Sequence, residues 1–105
     1  MKTFHLTKDH IKLLSHMWVD WDYNAPTICQ KRPYGNSDIQ QDICKILEWE
    51  KLGDDGYEPC YSSKQIILAQ QIHEEMKTAL QIVLNTSSFQ PGLYEEKNYK
   101  WYRQI

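Results

Sequence analysis

From Ser63 to Leu84 the chain holds an apolar residue on one side of a helix along its whole length. Ile66, Ala69, Ile72, Met76, Ala79, Leu80 and Val83 fall on one face, and Ser62 with Gln65 three residues later forms an S-x-x-Q capping box at its start. Ile67, Leu68, Ile82 and Leu84 widen that face at both ends, so the helix is expected to be covered from two sides. No other segment in 105 residues has comparable reach. Whatever else folds must pack against it, while His73, Glu74, Glu75 and Lys77 point to water.

Two shorter helices supply the partners. Thr7 reads as an N-cap, Asp9 suits the first turn, and Leu6 can pack on Ile11 as a hydrophobic staple. The spacing predicts a helix to about Trp18, burying Ile11, Leu14 and Trp18 with Leu13 and Met17 beside them, and leaves His10 and His16 as surface or boundary imidazoles. A second helix begins at Ser37, boxed by Gln40, and runs to about Trp49. Its buried face is Ile39, Ile43, Ile46 and Leu47, with Cys44 at the border and Gln41, Asp42, Lys45 and Glu48 in solvent. Lys2 to Leu6 and Tyr99 to Arg103 alternate like strands and are expected to pair as a ribbon leaning on the helices. The expected fold is a single domain, 1–105, mainly α: a three-helix core with a long central C-terminal helix and a small β-ribbon from the N- and C-terminal segments.

The connectors read less sharply. Val19 to Tyr23 is a short strand or a frayed helix end, within a long stretch to Gly35 that shows no regular period and in which Ile28 tucks inward. Glu50 to Ser62, with Gly53-Asp54-Asp55-Gly56, reads as a solvated acidic loop without the calcium-loop pattern of an EF-hand. Thr86 to Tyr94 reads as a loop with a Pro91-Gly92 type II turn.

A net charge of −2 opposes a nucleic-acid polymer as partner, because such binders displace counterions with a basic face. No apolar run reaches a membrane span and the first residues lack a signal-peptide core, so the expected compartment is the cytoplasm. Cys29, Cys44 and Cys60 are too far apart for a zinc or redox motif and read as reduced and structural, although pairwise bridges stay open. Neither a metal, a cofactor nor a catalytic arrangement is expected.

One stretch suggests a purpose. Lys31-Arg32-Pro33-Tyr34-Gly35-Asn36-Ser37-Asp38 sets two cations and a turn before a capped helix start, where unpaired N–H groups and the dipole favour an anion. Lys31 and Arg32 would pair with phosphate and the backbone of Gly35, Asn36 and Ser37 would cradle oxygens. Tyr34, Trp21 or a C-terminal aromatic would stack on a base, and Ser87 and Ser88 would bond to a ribose or phosphate. The plainer reading of the same residues is a turn, a helix cap and two solvated cations.

Together with Leu6-Thr7, His10 to Leu14, Ala79 to Leu84 and Ser88 to Tyr94, the stretch Arg32 to Asp38 resembles a group of small uncharacterised proteins of phages, prophages and bacterial mobile elements. That resemblance implies an accessory, anti-defence binding protein; the expected role is to sequester a small phosphorylated or nucleotide-like signalling ligand, as a homodimer or higher assembly. The alternative is an inhibitor that grips a host defence protein through some of its seven Tyr and four Trp.

Overall fold

The computed structural model describes residues 2–22, 25–30, 39–55, 58–86 and 88–105. In chain order these form β1 (Thr3–Leu6), α1 (Lys8–His16), β2 (Met17–Asp22), β3 (Ala25–Gln30), α2 (Ile39–Ile46), β4 (Gly53–Asp55), β5 (Glu58–Cys60), α3 (Ser63–Asn85), β6 (Gly92–Lys97) and β7 (Lys100–Arg103). The expectation of a mainly α molecule is therefore corrected. The fold is mixed α/β, with the long helix central and a three-stranded antiparallel sheet in the order β1-β6-β7.

α3 starts where its capping box puts it. Ser62 Oγ accepts the Gln65 N–H at 3.2 Å and the Ser62 N–H donates to Gln65 Oε1 at 3.2 Å. Its Met76 and Leu80 enter one core cluster with Leu13 of α1, Ile43 and Cys44 of α2, and Ala69. Ala79 and Ile82 enter a second, with Leu6, Tyr94 and Trp101 of the sheet. The widening residues do not behave alike: Ile82 is buried, but Ile67, Leu68 and Leu84 are about half exposed, so those three lie outside the two-sided cover expected for them.

The expected ribbon of Lys2–Leu6 with Tyr99–Arg103 is replaced by a sheet in which β6 separates the two. Phe4 lies opposite Tyr94, and Glu96 lies opposite Trp101. Gly92 opens β6 instead of closing a Pro-Gly turn, and the Tyr94 hydroxyl donates to the Gln90 carbonyl at 2.8 Å to fix the entry. Charged residues hid this strand. An antiparallel strand needs only one dry face, and alternation gives β6 Tyr94 inward while Leu93 and Lys97 face out.

α1 stops at His16, two residues before the expected end, and runs straight into the hairpin β2–β3. Trp18, Val19 and Trp21 are strand-favouring residues that fit the strand option better than the frayed helix, and the supposedly irregular stretch beyond it contains β3, with Val19 opposite Ile28. Pro26 is accepted opposite Trp21 because both strands of a two-stranded ribbon are edges. The acidic loop after α2 is likewise corrected to a short hairpin, Gly53 opposite Cys60.

α2 is shorter than expected, ending at Ile46. Glu48, at φ 59°, takes the left-handed position usually given to glycine, its N–H bonding to the Lys45 carbonyl and that of Trp49 to the Cys44 carbonyl, the Schellman pattern. Asp42, expected in solvent, is 9% exposed and Cys44, expected at the border, is fully buried, because α2 packs on α1 and α3 together.

Candidate functional site

The residues proposed as the anion seat, Lys31, Arg32, Tyr34, Gly35, Asn36 and Ser37, lie outside the described residues, as does Ser87. Trp21 is placed by its backbone alone, in β2 opposite Pro26. Ser88 is exposed, and its carbonyl accepts the Thr86 hydroxyl at 3.3 Å.

Two other arrangements carry chemistry. The first surrounds His10, which is 5% exposed and not the surface or boundary imidazole expected. Thr7 Oγ1 accepts the His10 N–H at 3.1 Å while the Thr7 N–H, which can only donate, reaches His10 Nδ1 at 3.1 Å. This is a capping box with histidine in the place of Glu or Gln. Nδ1 therefore carries the lone pair and Nε2–H donates to Glu75 Oε2 at 3.1 Å, tying α1 to α3. Phe4 packs on the ring at a centroid distance of 5.2 Å.

The order hydroxyl, imidazole, carboxylate matches that of a nucleophile, base and orienting acid. The chemistry does not follow. Thr7 Oγ1, 2.7 Å from Nδ1, is already engaged by the helix end, and the ring is 5% exposed beneath Phe4. The cluster is a clamp between helices.

The second arrangement is a hollow of about 370 Å³ between the last turns of α3 and the far end of the sheet. Lys2, Glu96 and Trp101 form a row across β1, β6 and β7: the Glu96 N–H donates to the Lys2 carbonyl at 2.9 Å, and Glu96 is the cross-strand partner of Trp101. Period-two alternation puts this row on the side of Phe4 and Tyr94, which faces α3. Gln81 and Asn85, one helical turn apart, form the opposite wall, and Tyr99 stands at the rim.

Most polar groups here are uncommitted. Asn85 Nδ2 donates to the Gln81 carbonyl at 2.8 Å, but Asn85 Oδ1, the Gln81 amide, Lys2 Nζ and the Glu96 carboxylate have no partner among the described residues. Trp101 is 5% exposed and its indole N–H has no acceptor among the described residues. Gln41 Oε1 is the sole sealed, unpartnered side-chain atom among the described residues, so the indole N–H keeps contact with solvent.

The rim is held under strain. Asn98 and Tyr99, at φ 54° and 65°, are the two central residues of the β6–β7 hairpin, the pair that a type I′ turn places in the left-handed region. Asparagine tolerates that conformation, whereas a tyrosine there is a true outlier. It is also 92% exposed, so no burial compensates it. Tyr99 thus presents an exposed aromatic ring at a conformational cost.

Of the hollow's lining, sequence reasoning had only the C-terminal aromatics as stacking groups. Lys2, Gln81, Asn85 and Glu96 carry no local motif, since three distant segments bring them together. Two further hollows are an apolar one of about 290 Å³ lined by Ile11, Leu14, Ser15 and Phe89, and a polar one of about 510 Å³ on the outer sheet face at Glu95, Lys97, Asn98, Tyr102 and Gln104. Among the described residues no group of three metal-ligating side chains converges and no helix is long and apolar enough to cross a membrane. No family model, curated protein or solved structure matches the chain.

Proposed function

We propose that this protein is a non-catalytic binder of a small nucleotide-like ligand, and that the hollow between α3 and the β6–β7 hairpin is where the ligand sits. The observation that carries the reading is the convergence of uncommitted amides, one cation, one carboxylate and an indole N–H beside a strained, exposed tyrosine. Tyr99 would stack on a base, Gln81 and Asn85 would read its edge, and Lys2 and Glu96 would meet the sugar and its substituents. In the phage-type setting implied by the resemblance, tight binding without turnover would withdraw a signalling molecule from circulation.

A panel of nucleosides, nucleotides and cyclic nucleotides in calorimetry and thermal denaturation tests this. A ligand at a hundredfold its Kd adds about 2.7 kcal/mol of stability, a shift that melting reads directly. Silence from the whole panel would remove the proposal.

A protein partner is the second reading, favoured by the outer face of the sheet, where Leu93 is 47% and Tyr102 51% exposed on the side away from α3. Tyr102→Ser separates the two: it would abolish capture of a host protein and leave nucleoside binding intact.

A further inference from the structure

The charge distribution in the hollow restricts what kind of nucleotide it accepts. Glu96 stands inside it, on the helix-facing side of the sheet. The opposite wall is the C-terminal end of α3, where the helix dipole places a partial negative charge, and no basic residue in its last turn offsets that. The Ile82 and Gln81 carbonyls there already accept the Thr86 hydroxyl and the Asn85 amide, and the Val83 carbonyl accepts the Thr86 N–H, so the dipole and the Glu96 carboxylate set the charge of the hollow. Against these stands a single cation, Lys2. Such a site suits ligand donors, namely ring amino groups and sugar hydroxyls, and repels multiple phosphates.

Resting on the proposed function, we infer that the hollow takes a nucleoside body carrying at most one phosphate, and that Glu96 is the residue that excludes polyphosphates. Its carboxylate accepts the ribose hydroxyls. Lys2, across the strand pair from it, neutralises one phosphate and no more. Tyr99 and the Trp101 indole provide the apolar rim and floor for the base.

The test is calorimetry of the full chain with adenosine, guanosine, cytidine and uridine, their 5′-monophosphates and their 5′-triphosphates, on the wild type, Glu96→Gln and Lys2→Ala. For the best base, the nucleoside and the monophosphate are expected to bind at least ~10-fold tighter than the triphosphate, equivalent to about 1.4 kcal/mol. Glu96→Gln should weaken the nucleoside and strengthen the triphosphate, closing most of that gap; Lys2→Ala should weaken the monophosphate selectively. Should Glu96→Gln fail to fold, as judged by thermal denaturation, the wild-type ratio and Lys2→Ala decide. A triphosphate that binds the wild type more tightly than its nucleoside overturns the inference and leaves the proposed function standing. Absence of binding by every compound overturns both.

Discussion

Replacing Tyr99 by glycine is expected to strengthen the fold and weaken the site. Tyr99 holds φ 65° while 92% exposed, so the left-handed penalty of roughly 1–2 kcal/mol is relieved and almost no buried surface is lost. Glycine's extra freedom in the unfolded chain takes back roughly 0.5–1 kcal/mol. The net gain is about 0.5–1 kcal/mol, and the turn becomes Asn-Gly, the favoured type I′ pair. For a domain of this size melting should rise by about 2–6 °C. Loss of a stacking face, worth roughly 1–3 kcal/mol, should weaken nucleoside binding by about 5- to 150-fold. Urea denaturation and calorimetry on the same preparation measure both. A variant destabilised by more than about 1 kcal/mol would show that Tyr99 packs on something, and undiminished binding would show that the strain serves no ligand.

The remaining predictions concern stability. His10→Ala, which removes the capping box and the tie to Glu75, should cost about 2–3 kcal/mol in chemical denaturation, whereas Glu75→Gln, which keeps an acceptor, should cost less than about 1 kcal/mol. Gly92→Ala should cost about 1–2 kcal/mol, since φ at 152° is unfavourable for alanine and the new Cβ would lie 2.9 Å from Arg103 Nε; adding Arg103→Ala should relieve the clash but not the backbone term, a coupling that a double-mutant cycle resolves. Burial, and then the charge of Lys77, hold the His73 pKa below its usual 6.5 in spite of Glu74. The unfolded state therefore binds the proton more readily, so this residue's effect is absent above pH 6.5 and erodes stability as pH falls below it; His73→Gln should flatten that part of a melting-versus-pH curve.

Which parts of this molecule were legible in the sequence follows from the range of the interactions that decide them. α3 is written in local terms, a capping box and a sustained apolar face, and it forms from Ser63 onward. Thr7 could be read as a cap for the same reason, but the residue that completes the box, His10, was missed because histidine seldom plays that part and because its third partner is Glu75, far along the chain. β6 could not be read locally, since Glu95 and Glu96 gain their strand conformation only from neighbours on both sides. The hollow was illegible on the same ground, while the stretch from Lys31 to Ser37 lies outside the described residues.

The row from Lys2 through Glu96 to Trp101 joins the first strand of the fold to the last. The proposed binding surface, stitched across that span, is complete only when the first and last strands have closed on one another. Its occupancy would therefore report on completion of folding, and a ligand would act as a latch on the two outermost strands. An amide-exchange experiment would see that latch as slowed opening of β1 and β7 together.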